Sequence, residues 1–544
     1  MKLFALSPMT IAIALATTIS LPAFAQEPPD AGQIYQENRQ DTLQPQRPSV
    51  DIRLEGQALS EREAGGPEVA INQIQFKGNT ALSAEELLAA LGEGVFEKKY
   101  DLSGLQLLAN RISEFYRTQG YPFARAILPA QTLDNGTLLI TVIEGRYGKV
   151  SASGEPALAG TVGKFLEPLA PGDVIESSAM ERTLLIAGDL PGLNIVPVMR
   201  PGQDYGTGNL DAQVEQGDRF TGRVGVDNHG SRYSGEYRTR ADLQANRLLT
   251  VGDELSIAAL YSSEDTWLGQ LSYSLPLGYS GLRGTVGYDF TDYTLGKGFE
   301  GYTGTAEVLS AGLSYPLIRT QRSNLSFSAT YQQKDLDDNA DFIGYTKATE
   351  SRSLPLALQF DHRDNLFGGG ISYGAATLTP GNLEADQTAA VGNDYGFTKL
   401  NLDVARLQRL TSQLTLFGRF SGQWSDQRYL DGSESFYLGG PNGVRAFPVG
   451  EGSDSRGWLA QLELRYNLGG GLSPYLLVDG GRTLNGGIDE GDDRSLSGGG
   501  FGLKYNSNDW SVDLVSAWKL SGGDAQSDER QKDPRFWFNV GYRF

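Results

Sequence analysis

Two histidines, His229 and His362, are the whole imidazole complement of this 544-residue chain, and cysteine is absent. That removes thiolate nucleophiles, disulfides, His-rich metal cages and most Ser-His arrangements before any fold is considered. The densest titratable string, Asp361-His362-Arg363-Asp364, sets an imidazole among charges. Neighbouring residues on a strand point to opposite faces, however, so Asp361 and His362 cannot hold one ion together, and the string reads as a charged barrel rim. Asp335-Leu336-Asp337-Asp338-Asn339 and Asp489-Glu490-Gly491-Asp492-Asp493 lack the spacing of an EF-hand and read as solvated acidic loops. Neither a P-loop nor a G-x-S-x-G elbow is read in the chain, the glycine clusters read as turns, and neither ATP nor acyl chemistry is expected. The residues point away from an enzyme, with no cofactor and no metal to hold.

The elements that carry these residues point elsewhere. Lys and Arg number 46 against 66 Asp and Glu, a net charge of −20 that argues against a nucleic-acid partner. Gly at 69, with 23 Phe, 25 Tyr and 6 Trp, suits strands and tight turns. Residues 1–25 open with Lys2, run apolar from Thr10 to Ile19, and finish on Ala23-Phe24-Ala25 before Gln26, the order of a secretory signal peptide. After it no apolar run approaches the roughly 18 residues of a spanning helix, so a membrane could be crossed only by a barrel.

Residues 26–66 are polar and Pro-punctuated, with one helical candidate over Ala31 to Thr42, and read as a short helix on a flexible linker or as a disordered leader. Residues 67–146 show strand, helix, helix, strand, strand. Ser83 and Glu86 make a capping box, and Asp134-Asn135-Gly136 marks a hairpin. Residues 147–216 repeat the β-α-α-β-β order with little sequence similarity, so two copies of one α+β unit stand in tandem.

From 217 to 544 the period becomes two. Trp267, Gly269, Leu271, Tyr273 and Leu275 alternate with Leu268, Gln270, Ser272 and Ser274; Trp458, Ala460, Leu462, Leu464 and Tyr466 alternate with Leu459, Gln461, Glu463 and Arg465. An apolar face ending in aromatics opposite a wet face is what lipid outside and water inside require, where a soluble sandwich or propeller would not place aromatics at both ends. About sixteen such segments, roughly 20 residues each with their turns, predict a 16-stranded antiparallel transmembrane β-barrel. In the last segment Phe536, Phe538, Val540, Tyr542 and Phe544 share one face, and a terminal strand of this kind resembles the assembly signal of outer-membrane barrels.

With these strings in view, the mature chain resembles a two-partner secretion outer-membrane transporter of the haemolysin/filamentous-haemagglutinin secretion-activation family, within the POTRA-plus-barrel superfamily. Gly120-Tyr121-Pro122 with Val142-Ile143-Glu144-Gly145-Arg146 is similar to the family's first POTRA domain, and Leu190-Pro191-Gly192-Leu193 with Arg200-Pro201-Gly202 to its second. Gly439-Gly440-Pro441-Asn442-Gly443-Val444-Arg445-Ala446-Phe447-Pro448 resembles the tip of an inward-folded loop between strands eleven and twelve, with Ala446 where the superfamily usually has Gly. Leu477-Val478-Asp479-Gly480-Gly481 is similar to the strand that supplies its acidic partner, Leu477 replacing an aromatic.

The resemblance implies a translocator in the bacterial outer membrane with its POTRA domains in the periplasm. It would export one large exoprotein of adhesin or haemolysin type, captured unfolded by its N-terminal secretion domain. The N-terminal helix would plug the lumen, and a lock of Gly443, Val444, Arg445, Ala446 and Phe447 on Asp479 would hold the loop. Outer-membrane lipid, and the barrel-assembly machinery and periplasmic chaperones during biogenesis, complete the implied partners. The competing reading is a barrel-assembly insertase, which usually carries more than two POTRA repeats; a passive porin leaves residues 67–216 unexplained.

Overall fold

The structure, a computed structural model, describes residues 28–39, 44–46, 50, 65–387, 394–484 and 493–544. The expected signal peptide lies outside the described residues. A short helix, α1 (Ala31–Asn38), opens the described chain, capped by Asp30, whose carboxylate accepts from the Gln33 N–H at 2.8 Å.

In the first α+β unit, strand Gln73–Lys77 pairs parallel to Thr137–Ile143, which pairs antiparallel to Arg125–Ile127. Along Thr137–Ile143 alternate residues Leu138, Ile140 and Val142 turn inward, the period of two that puts one sheet face against helices. There they meet Leu87 and Leu91 of α2 (Ala84–Leu91) and Leu105, Leu108, Ile112 and Tyr116 of α3 (Leu102–Thr118). Ser83 and Glu86 close the capping box. Glu144 ties the end of this sheet to the turn before α2, accepting from the N–H groups of Thr80 (2.5 Å) and Ala81 (2.7 Å), the Tyr116 hydroxyl (3.1 Å) and Arg146 Nη2 (3.2 Å). Burial raises the pKa of this carboxyl, but the donors from Ala81 and Thr80 outweigh it and hold it below the ordinary value.

The second unit repeats the topology: Arg146–Gly154 runs parallel to Thr207–Gln216, and Leu193–Pro201 antiparallel to it, with α4 (Pro156–Phe165) and α5 (Ser177–Gly188) on one face. Leu158, Val162, Phe165, Met180, Leu184 and Leu210 form its core.

Sixteen antiparallel strands then close a barrel, the last, Arg535–Arg543, pairing with the first, Phe220–Asp227. The eighth strand is broken into Tyr345–Ser353 and Leu356–Asp364, yet both halves pair with the same neighbours. Pro355 has no N–H to give, but its carbonyl accepts from Thr330 N–H (3.0 Å) and Leu354 N–H reaches Pro380 O (2.9 Å), so the ladder continues through the break. Trp267, Leu271, Trp458, Leu462, Trp510 and Leu514 are exposed on the outer face, where a membrane supplies the solvent. No helix among the described residues is long and apolar enough to cross a membrane.

Candidate functional site

Between strand eleven (Leu414–Ser425) and strand twelve (Gly457–Tyr466) the chain folds into the barrel. Its tip is drawn tight at Gly443, where a Cβ would stand 2.1 Å from the Leu438 carbonyl oxygen, so only glycine fits. The turn delivers Arg445 onto strand thirteen (Leu472–Thr483). Its backbone N–H and Nε donate to Asp479 Oδ2 at 3.1 and 2.8 Å, and Nη2 to Oδ1 at 2.6 Å. Nη1 reaches Glu463 Oε1 on strand twelve at 2.5 Å. A planar guanidinium matched to two carboxylates in this way is fixed in direction as well as charge. Glu463 also meets Arg465 (2.7 Å) and Lys504 (3.2 Å), so the acids are shared among three cations.

The neighbours of Arg445 close the lock. Its carbonyl accepts from Trp537 Nε1 at 2.7 Å, on the strand that ends the chain, and Gln461 Nε2 donates to Gly443 O at 2.8 Å. Val444, Ala446 and Phe447 are buried, and Arg494 and Lys519 lie over the Phe447 ring at 5.9 and 5.2 Å. Ala446 is not among the residues with positive φ, so alanine is accommodated there without backbone strain. Its methyl faces Gly498, where an added Cβ would lie 2.7 Å away.

The same loop is held at two further points. Glu434 accepts from Lys334 Nζ at 2.5 Å and pairs with Lys399 Nζ at 2.7 Å, on strands seven (Ser323–Ala340) and ten (Tyr395–Arg409). Glu451 takes Arg494 Nη2 at 2.6 Å and the N–H groups of Gln526 and Ser527 at 2.9 and 2.8 Å. The loop therefore gives a carboxylate to each wall, Glu434 to Lys334 and Lys399 and Glu451 to Arg494, beside the base Arg445.

Helix α1 lies inside the barrel against this loop. Ile34 and Tyr35 are fully buried beside Tyr233, Leu260, Leu268 and Tyr293. The Ala31 N–H donates to Asp338 Oδ1 (2.7 Å), the Tyr35 hydroxyl to Asp289 Oδ2 (2.7 Å), and Arg238 Nη1 to Glu37 O (3.2 Å) and Asn38 Oδ1 (3.1 Å). Lys347 joins helix to loop, 3.1 Å from both Asp30 and Asp431. A cavity of about 1330 Å³ remains beside them, lined by polar groups such as Ser326, Thr330, Gln359, Asn401 and Gln423.

The sequence-derived site residues sort as follows. Arg445 and Asp479 meet directly, with Gly443, Val444, Ala446 and Phe447 around them. Phe536 and Phe544 are exposed on the outer face of the last strand, while Trp537 between them turns inward. Three readings change. Asp335–Asn339 is not a loop: it lies within strand seven, and Asp338 is nearly buried because it caps α1. The helix is shorter than Ala31–Thr42, since Arg39 is already extended and 40–43 lie outside the described residues. Gly370-Ile371-Ser372-Tyr373-Gly374 spells G-x-S-x-G, yet it sits inside strand nine (Gly370–Gln387), where Ser372 Oγ accepts from Arg406; a nucleophile elbow needs a strand-to-helix turn. Of the string Asp489–Asp493 only Asp493 is described, 2.6 Å from Arg482. Glu434, Glu451 and Glu463 carry no signal in the sequence, because an acid is a loop anchor only when the facing strands bring it a cation.

A closed barrel stoppered by a helix and a loop, with two α+β units at one end, defines an outer-membrane translocator. Residues 206–505 match the model of the family described as haemolysin secretion/activation protein ShlB/FhaC/HecB, and residues 69–145 the POTRA domain of ShlB type. The chain is 30% identical over 484 residues to the heme/hemopexin transporter protein HuxB of Haemophilus influenzae, covering 85% of this chain and 84% of the relative. To the outer membrane transporter CdiB of Dickeya dadantii it is 26% identical, covering 84% of each. The fold is similar to that of CdiB from Escherichia coli, with a TM-score of 0.72 at 22% identity, over 91% of this chain and 94% of that one. The chain belongs to the haemolysin secretion/activation family. It is an outer-membrane two-partner secretion transporter, its barrel in the membrane and its POTRA region in the periplasm.

Proposed function

We propose that this transporter exports a dedicated large exoprotein through its own lumen, with residues 67–146 and 147–216 as two POTRA domains and 217–544 as the barrel. The observation that carries the reading is the stoppered lumen: α1 and the Arg445 loop fill a polar channel and are held by hydrogen bonds and ion pairs that water and a passing chain can replace. Unfolded exoprotein is captured by its N-terminal secretion domain on the second unit. The edge strand Leu193–Pro201 beside α5 offers backbone for β-augmentation, which recognises extended chain with little demand on its sequence. Capture displaces α1, and the loop shifts Arg445 from Asp479, which clears the lumen. Folding of the exoprotein outside makes the step irreversible without nucleotide or covalent chemistry. Barrel-assembly machinery and periplasmic chaperones place the barrel, reading the outer face of Phe536, Phe538, Val540, Tyr542 and Phe544.

The named relatives support a secreted protein as cargo: one is called a heme/hemopexin transporter, another, from Proteus mirabilis, a hemolysin transporter. Comparison of secreted and outer-membrane proteomes with and without the gene tests this. Loss of one large exoprotein with other barrels intact is expected. Depletion of many outer-membrane barrels would make the protein a barrel-assembly insertase and overturn the reading.

A further inference from the structure

The linker behind α1 is held at two points by two different parts of the molecule. Gln46 is clasped at the base of the barrel, its N–H donating to Asp361 Oδ2 (3.3 Å) and its carbonyl accepting from Arg363 Nη2 (2.6 Å). Val50, 2% exposed, is packed into the apolar cluster of the second unit with Leu166, Leu169 and Leu190.

The second unit reaches the same clasp by another route. Asp189, just past α5, accepts from Arg319 Nη2 and Nε at 2.6 and 2.7 Å. Arg319, 1% exposed, gives Nη1 to Asn324 Oδ1 at 2.9 Å. Asn324 Nδ2 donates to both oxygens of Asp361 at 3.1 Å, and Arg363 Nη1 to Oδ1 of the same carboxylate at 2.9 Å. Around this line α5 seats on the turn between strands six (Thr303–Arg319) and seven, through Arg182 to Pro316 O (2.7 Å) and Gln321 N–H to Glu181 (2.6 Å).

We propose that Asp189, Arg319, Asn324 and Asp361 are positioning residues of a latch that ties the plug helix to the seating of the second unit. With α5 seated, Asp361 and Arg363 hold Gln46 and α1 stays in the lumen. When the second unit tilts, Asp189 leaves Arg319, Val50 is drawn with its cluster, and the clasp opens. Arg319 and Asp361 are buried charges, so losing one partner unsettles the line and not one bond of it. The latch rests on the plug role of α1 proposed above.

Planar-bilayer recording of the full-length protein, with no exported protein present, tests it. Asp189→Ala and Asn324→Ala should each raise the open-channel fraction about fivefold or more, and the double variant no further than the larger single, since both break one line. Asp189→Glu should keep the channel closed. The chain has no cysteine, so Gln36→Cys, at a position lining the cavity, gives a second readout: its maleimide labelling should quicken in parallel. Additive effects, or unchanged opening and labelling in both single variants, would overturn the latch. Deletion of residues 31–38 in the same bilayers separates the two readings. Opening on deletion with silent Asp189 and Asn324 variants overturns the latch alone; unchanged conductance on deletion overturns the plug and the latch together.

Discussion

Arg445 and Asp479, 34 residues apart, exchange three hydrogen bonds in which one carboxylate receives the backbone N–H, Nε and Nη2 of one arginine. The ordinary strength of such a pair at about 4 Å and an effective dielectric near 20 is roughly 4 kcal/mol before desolvation. Here both partners are almost fully buried, so removing one leaves the other uncompensated, at a cost of about 3–5 kcal/mol to the loop's seated state. Arg445→Ala is therefore expected to abolish or cripple export while the barrel stays folded, seen as unchanged heat-modifiable migration with loss of secreted exoprotein. Arg445→Lys should recover only part, because a single ammonium cannot serve Asp479 and Glu463 together. Normal export by Arg445→Ala would show that the lock is not needed.

Glu434 neutralises Lys334 and Lys399 at once. Glu434→Ala strands two buried ammonium groups, and the loop should leave that wall: protease nicking of residues 426–456 in intact cells is expected to rise, with Lys334→Met in the same chain reducing the effect. Equal protection of wild type and variant would count against Glu434 as an anchor.

Removal of residues 31–42 should raise single-channel conductance, because α1 occupies lumen that the polar walls would otherwise leave to water and ions. Conductance equal to wild type would leave the helix with no plugging role.

Ala446 and Gly498 share one space. Gly498→Ala should unseat the loop by about 1–3 kcal/mol, the usual cost of overpacking, and Ala446→Gly in the same chain should restore it. Export of the cognate exoprotein by the three variants measures this; equal export by Gly498→Ala and wild type would mean the contact relaxes freely.

Glu144 has a native pKa held below its ordinary value of 4.5, so its contribution to the first unit is complete above that value and is lost as pH falls below it, through the depressed native one. Amide hydrogen exchange at Thr80 and Ala81, corrected for intrinsic rates, should quicken over that acid window. In Glu144→Gln it should be fast already at neutral pH and insensitive to acid; an acid response that survives the substitution would assign it to another group.

Periodicity alone determined the barrel and the order of the two α+β units, because the period of two and the capping box at Ser83 are local properties of the chain. The lipid face was legible for the same reason: Trp267 and Leu271 can only be exposed if the solvent outside is apolar. Arg445 and Asp479 could be paired in advance through a family resemblance, not through their spacing. What the tertiary structure alone decided is where buried charge finds its counter-charge. Asp338 looked like part of a solvated loop until α1 brought its Ala31 N–H, and Glu434 carries no sequence mark of its two lysines, about 100 and 35 residues away. Asp361 looked like a rim charge, and its three hydrogen-bond donors come from two strands and a linker some 315 residues distant. A carboxylate's partner is set by which strands the closed barrel places side by side, and closure is a property of the whole sheet that no local window contains.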